Sequence, residues 1–470
     1  MDATDATDLA FAGIARQAQL VRDGDVTPRE LVALCLERIG RLDPLLNAVR
    51  VTFPERALAE ARQAAARRRG RRADLAETRP LLGVPVLIKD DTDVAGELTT
   101  YGTRAHGGPA QQDAEVVRRL RAAGAIVIGK THTPELMQWP FTESVTFGAT
   151  RNPWDLDRTP GGSSGGSGAA VAAGLAGAAL ADDGGGSIRI PAACCGLFGL
   201  KPQRDRIPET PKRDSWNGLS ALGCVTRTVA DTALWLDVTA DRDRDDDESY
   251  RAAAGRSPGR LRIAYTARNP LLAPLAREQR EAFEQTIELL RGLGHTLQRV
   301  DLPLTEPVVP QWVVRYLRGI AQDAAALPHP ERLEPRTRAM ARLGRAIPDG
   351  VLRWAREAEA ATTIRLNAAL ADHAVLLTPA LAALPLPIGR YQRRGALWTF
   401  NGVARFTPFT PIWNATGQPA AAVPAGATAD GVPLSVQLVG RPRDEATLLS
   451  LAAQIEAARP WAARRPTLAV

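Results

Sequence analysis

The run TPGGSSGGSGAAVAAGLAGAALADDGGGSIRIP, Thr159 to Pro191, holds two glycine-serine turns on either side of small apolar residues. The first turn is Gly161-Gly162-Ser163-Ser164-Gly165-Gly166 and the second is Gly184-Gly185-Gly186-Ser187. Glycine lets backbone approach a ligand closely and take positive φ. On composition alone, however, such clusters are more often ordinary turns around a buried helix. Gly166 to Ala179 is expected to be that close-packed helix, with Leu180 leading into the second turn. Ser187 then opens SIRIPAACCG, which reads as a short helix. A serine there, behind three glycines, has several backbone N–H groups facing one point, which is how an oxyanion hole is built.

Outward from this stretch the pattern is α/β. Thr27-Pro28-Arg29-Glu30 is a capping box with proline at N1, opening the amphipathic run Leu31 to Arg41. A second helix starts at Pro54. Leu81 to Ile88 reads as a buried strand that ends at Lys89-Asp90-Asp91, where a lysine suits an active-site edge. Asp113 to Ala123 reads as a helix with Gly124 as its C-cap, followed by a strand from Ala125 to Ile128. This alternation predicts an α/β fold with parallel strands. Beyond Asp241–Glu248, a charged linker, Leu261 to Tyr265 reads as a strand and Arg277 to Leu293 as a helix. Residues 304–400 are Pro/Arg-rich with scattered aromatics, among them Trp312 and Tyr316. Order returns with a strand at Leu434–Val439 and a helix at Asp444–Arg459.

Composition excludes several classes. Hydrophobic residues make up 45% of the 470, enough for a sizeable core. Cys35, Cys194, Cys195 and Cys224 show neither zinc nor disulfide spacing, and no metal or cofactor is indicated. The acidic N-terminus has no signal-peptide pattern, and the longest apolar stretch, Gly168 to Ala181, is too short for a bilayer span. A cytoplasmic location is expected. The net charge of +7 raises nucleic-acid binding, but the densest basic cluster, Arg67 to Arg72, lacks interleaved aromatics and reads as a solvated helix end. More telling, only four of the 59 basic residues are lysine: Lys89, Lys130, Lys201 and Lys212. Arginine cannot lose its proton in a protein and a buried lysine can, so each retained lysine is a functional flag. For Lys212, in the polar PKRD segment, chance survival is the ordinary explanation.

Two short motifs fail on context. Gly124 to Thr131 fits the phosphate-loop pattern GxxxxGK[ST], but its four intervening residues are apolar and β-prone, so they read as the strand itself. Gly161-Gly162-Ser163-Ser164-Gly165 fits GxSxG, but a nucleophile elbow needs a preceding strand, and residues 152–160 are polar and proline-bounded. His295, His329 and His373 have no setting that would complete a Ser-His-Asp site.

Taken together, GVPVLIKD (83–90), AGAIVIGKTHTPE (123–135), FGATRNPWD (147–155), TPGGSSGGSGAAVAAG (159–174), DDGGGSIRIPAACCGLFGLKP (182–202), TRTVADTALWLD (226–237) and WNATGQPAAAVPAG (413–426) resemble the amidase signature family of serine hydrolases. The resemblance implies one amidase domain over residues 1–470, with a large twisted mixed β-sheet covered by helices on both faces. Within it, 1–75 would be an N-terminal helical segment, 76–240 the catalytic core, 241–400 a variable substrate-side region and 401–470 a return to the core. It also implies a Ser-cisSer-Lys triad. Lys89 falls on the lysine, Ser163 on the serine after the cis bond, and Ser187 on the nucleophile. The N–H groups of Gly184, Gly185, Gly186 and Ser187 would form the oxyanion hole, and Ser164, Asp183 and Arg189 match supporting positions. Gly184, Asp205 and Cys224 depart from the family's usual residues and bear on substrate rather than chemistry.

The physics of such a site is coherent. A serine hydroxyl is a poor nucleophile until a base takes its proton. Lys89 serves as that base only when uncharged, which calls for burial or nearby positive charge, and activity should then rise from neutral to alkaline pH. An amidase acting on a small-molecule amide is the leading reading. The A subunit of a tRNA-dependent amidotransferase is an alternative, against which stand Ile190, where that subunit carries glutamine, and SALGCVTRTV in place of an LDQIGP-like block. An amide-forming acyltransferase is another alternative, and a degenerate binding module is opposed by the intact triad. Pocket walls are expected from 304–400 and from Met137, Trp139 and Phe141, residues that fit an apolar or aromatic acyl group. No nucleic-acid or membrane partner is expected, and a homodimer is left open.

Overall fold

The computed structural model describes residues 3–67, 72–241, 248–303, 307–370 and 372–469. Residues 68–71 of the basic cluster and 242–247 of the charged linker therefore lie outside the described residues. The strands are β1 (Val49–Thr52), β2 (Pro85–Lys89), β3 (Ile126–Thr131), β4 (Glu143–Ser144), β5 (Gly148–Ala149), β6 (Ala178–Asp182), β7 (Phe198–Lys201), β8 (Leu222–Thr226), β9 (Arg262–Tyr265), β10 (Thr296–Arg299), β11 (Val375–Pro379), β12 (Ala420–Ala427) and β13 (Pro433–Gly440). Eleven form one mixed sheet in the order β1-β3-β2-β6-β8-β7-β12-β13-β11-β9-β10, while β4 and β5 pair separately. The C-terminal pair β12–β13 joins the two halves of the sheet, lying between β7 and β11.

Side chains alternate across a strand, so every buried strand feeds two cores. In β6, Ala179 and Ala181 join one core while Ala178 and Leu180 join the other. The first core receives the helices Pro28–Leu46, Pro54–Arg67, Gly165–Ala172 and Arg189–Cys195. The second receives Gly13–Asp23, Glu115–Ala122, Val229–Thr239, Arg277–Gly292 and Glu445–Ala458. This is the α/β sheet with helices on both faces that the sequence implied. The capping box forms: Thr27 Oγ1 accepts from Glu30 N, and the Glu30 carboxylate accepts from Thr27 N at 2.7 Å.

The structure redraws some elements. The small-residue run after the first turn is not one helix over Gly166–Ala179. It is the helix Gly165–Ala172, a turn, and then strand β6. Gly174, at φ 66°, ends the helix. The C-cap before β3 is Ala123, with Gly124 following at φ 94°. Residues 304–400 carry three long helices, Val308–Ala326, Pro335–Arg345 and Asp349–Ala369, besides β11.

The sheet positions the site through one pairing. β2 runs parallel to β6, with Leu87 opposite Ala179, so both strands finish at the same sheet edge. Their last residues are Lys89 and Asp182.

Candidate active site

Lys89 has no exposed side-chain surface, yet it is an amine. Its Nζ donates to Ser163 Oγ at 2.8 Å, contacts Asp182 Oδ1 and lies 3.4 Å from Asp91 Oδ2. Burial is the environment expected of this lysine. Its neighbours are not: two carboxylates flank it where positive charge was the expected alternative.

Ser163 is buried and follows a cis peptide bond from Gly162. Its loop is clamped on both sides. Gly161 sits at φ 85° with its hydrogen facing Pro191, where a Cβ would lie 3.0 Å from that residue's Cα. The first turn is thereby packed directly on the helix that follows the second. Thr142 Oγ1 donates to Gly161 O at 3.0 Å. Ser164 precedes the helix Gly165–Ala172 and donates to Asp182 O at 3.3 Å.

The second turn is held by Asp183 and Arg189, both fully buried. Asp183 accepts from Arg189 Nε at 2.9 Å, from Gly186 N at 2.6 Å and from Ile188 N at 3.2 Å. Burial alone would raise this carboxyl, but the Arg189 guanidinium outweighs it and holds Asp183 down at about 2. Arg189 continues to Thr410 O, Gln437 Oε1 and Asn414 Oδ1 at 2.7–3.0 Å. The loop geometry thus depends on residues more than 220 positions away.

This network changes one expectation. The Gly186 N–H is committed to Asp183 Oδ1. Gly186 instead serves by its shape, since φ 125° and a Cβ position only 2.5 Å from Thr410 Oγ1 leave room for no side chain. Gly185 and Ser187 line an adjacent cavity. Trp312 Nε1 donates to Gly184 O at 2.9 Å and Thr410 Oγ1 donates to Gly185 O at 2.7 Å, fixing the loop from its carbonyl side. Among the described residues, hydrogen bonds close the Lys89–Ser163 leg but not a Ser163–Ser187 leg.

The cavity over Ser187 measures about 320 Å³ and is walled by Met137, Trp139, Trp216, Trp312, Tyr316 and Phe400. Trp312 stacks on Tyr316 at 4.7 Å between ring centroids, and Tyr316 stacks on Phe400 at 5.7 Å. Met137 and Trp139 are therefore wall residues. Phe141 is not: it lies stacked 5.9 Å behind Trp139, with its backbone N–H against Gly162. Trp216 was missed, and the only signal for it was a lone tryptophan in the polar KRDSWNG segment.

Lys89, Lys130 and Lys201 are fully buried, and Lys212 is half-buried. Lys130 pairs with Asp90 at 2.9 Å, and Lys201 donates to Pro202 O at 2.8 Å. Lys212 Nζ donates to Asp91 O at 2.6 Å and lies 5.0 Å from the Tyr101 ring centroid.

Comparison with known proteins agrees with this architecture. The amidase family profile matches residues 30–449. The chain is 54% identical to a Mycobacterium tuberculosis protein assigned as an amidase, AmiB2, over 99% of this chain and 100% of that protein. It superposes on the structure of 6-aminohexanoate cyclic dimer hydrolase complexed with substrate with a TM-score of 0.90 and 31% identity, covering 98% of this chain and 100% of that one. A bacterial aryl acylamidase of the amidase signature family is similar with a TM-score of 0.83 and 26% identity, over 94% and 95% of the two chains. The chain belongs to the amidase signature family and is a hydrolase acting on amides. Among the described residues, no helix is long and apolar enough to cross a membrane.

Proposed function

We propose that the enzyme cleaves small carboxylic acid amides with an apolar acyl group by forming an acyl-enzyme on Ser187. Uncharged Lys89 takes the proton of Ser163, which takes that of Ser187 as its Oγ attacks the carbonyl carbon. The developing oxyanion is met by backbone N–H groups of Gly185 and Ser187, with Gly184 beside them. The C–N bond then breaks and the relay returns its proton to the leaving amine. Water cleaves the acyl-enzyme by the same relay in reverse.

The observation that carries this reading is the 2.8 Å hydrogen bond from a fully buried lysine to Ser163 Oγ, beside the turn that bears Ser187. The Ser163–Ser187 leg is one that substrate binding would tighten, as is common for catalytic hydrogen bonds. The acyl preference is supported by the aromatic cavity wall. The test is turnover of a panel of aliphatic, aryl and peptide amides by wild type and by Ser187→Ala. Wild-type turnover with the variant at background is expected, and a variant with wild-type activity would sink the proposal.

A further inference from the structure

Asp182 opens the DDGGGSIR block but has no role assigned from the sequence, yet it contacts Lys89 Nζ directly from the end of the neighbouring strand. The surrounding charges can be paired off. Lys212 binds the backbone oxygen of Asp91, whose Oδ1 also accepts from Thr92 Oγ1 at 2.9 Å. Asp323, on the helix Val308–Ala326, accepts from Trp216 Nε1 at 2.8 Å. Glu209, in the loop after β7, accepts from Ser215 N at 3.3 Å. Tyr101 lies under Lys212. Asp91 faces both lysines, with its Oδ2 3.4 Å from Lys89 Nζ, whereas Asp182 Oδ1 is in direct contact with that nitrogen. Lys89 has no exposed surface and Asp182 keeps only 16%. Removing two opposite charges from water there costs several kcal/mol per ion, so a neutral hydrogen-bonded pair competes with the ion pair.

Building on the proposed role of Lys89 as base, we infer that Lys89 and Asp182 form a proton-sharing pair, in which Asp182 Oδ1 takes the proton that frees the lysine amine. An N–H bond of Lys89 breaks, an O–H bond forms on Asp182, and the electron pair stays on Nζ. The pair is neutral before and after, and no outside acid or base takes part. Asp182 is thus a positioning residue that acts through Lys89. The free amine then exists at a fixed fraction wherever the pair holds one proton, so it no longer grows as pH rises. Burial, opposed by Lys89, pushes the Asp182 carboxyl up to about 7. For Asp91 burial is outweighed by Lys89 and Lys212, which hold its carboxyl down at about 2. Below about pH 7 the pair gains a second proton and the amine is lost.

The test is the second-order rate of Ser187 labelling by a fluorophosphonate, followed from pH 6 to 10 and needing no knowledge of the substrate. Wild type is expected to rise to about pH 7 and then stay level within about twofold to pH 9. Asp182→Asn, which cannot take a proton, should climb about tenfold per pH unit through that interval, and Asp182→Glu should restore the level profile. A wild-type rate that climbs tenfold per unit, or Asp182→Asn and wild-type profiles of the same shape, overturns the inference while leaving Ser187 as nucleophile. The wild-type curve decides by itself if Asp182→Asn does not fold. Absence of any label on Ser187 in wild type overturns the proposed function and this inference with it.

Discussion

Lys89 and Asp182 are the last residues of two adjacent parallel strands, and Nζ of one meets Oδ1 of the other at the ends of those strands. Strand carboxyl ends are where open α/β sheets place their ligands. The pairing fixes the lysine in register with Ser163, whose loop packs onto the helix beginning just after Ser187. The site is thus held by the sheet on one side and by loop-to-helix packing on the other.

The role given to Lys89 separates charge from basicity. Lys89→Ala and Ser163→Ala should each lower kcat by about 10²–10⁴-fold. Lys89→Arg keeps the positive charge but cannot give up its proton, so it should be as slow as Lys89→Ala. Steady-state kinetics on the three variants checks this, and an active Lys89→Arg would remove the lysine from the relay.

Arg189 is the keystone of the second turn. Arg189→Lys cannot reproduce its five hydrogen bonds and would leave Asp183, fully buried, without its bidentate partner. Breaking a buried pair in this way costs roughly 3–5 kcal/mol. Denaturant unfolding should show a loss of that size, with activity falling as the glycine loop relaxes. A loss below about 1 kcal/mol would mean that the network is far weaker than its geometry.

Stability should also depend on pH, through two carboxyls on the opposite face of the sheet. Burial raises Glu456 to about 7 and Asp231 to about 6. Both folded values lie above the unfolded carboxylate range near 4, so their contribution is full below that range and is lost as pH rises through 6 and 7. Glu456 accepts from Val229 N at 3.1 Å, a bond that glutamine can also accept. Glu456→Gln should therefore be the more stable protein at pH 8, with a smaller fall in Tm between pH 5 and 8. Parallel Tm curves for the two proteins would contradict this.

The cavity makes a graded prediction about substrate. Each methylene added to a linear acyl chain is worth about 0.8 kcal/mol when buried, or about fourfold in kcat/KM, until the space is filled. Trp312→Ala should flatten that series and also loosen the glycine loop, since Trp312 Nε1 holds Gly184 O. A panel that favours charged acyl groups would show that the aromatic wall does not bind the acyl chain.

Much of this was legible in the sequence, for identifiable reasons. The capping box at Thr27, the β3 strand inside the false phosphate loop and the short helix after Ser187 are written in local residue chemistry. Lysine scarcity points to Lys89, which the fold buries beside Ser163. Asp182 is hidden in the sequence because the residues of β6 read as helix and turn. A strand buried on both faces has no polar alternation, and a run of alanines carries no period to tell it from a helix. Phe141 was misplaced for a related reason: two aromatics two residues apart cannot be sorted into wall and backing without the fold. The commitment of the Gly186 N–H to Asp183 depends on a loop shape set by Thr410, Asn414 and Gln437, which no local pattern reveals.

Covalent labelling tests the assignment of Ser187 as nucleophile most directly. Wild-type protein is treated with a fluorophosphonate, digested, and its peptides mapped by mass spectrometry. One adduct per chain is expected, carried on Ser187, with loss of amidase activity in proportion to labelling. An adduct on another residue with Ser187 unmodified, or full activity after complete labelling of Ser187, would contradict it.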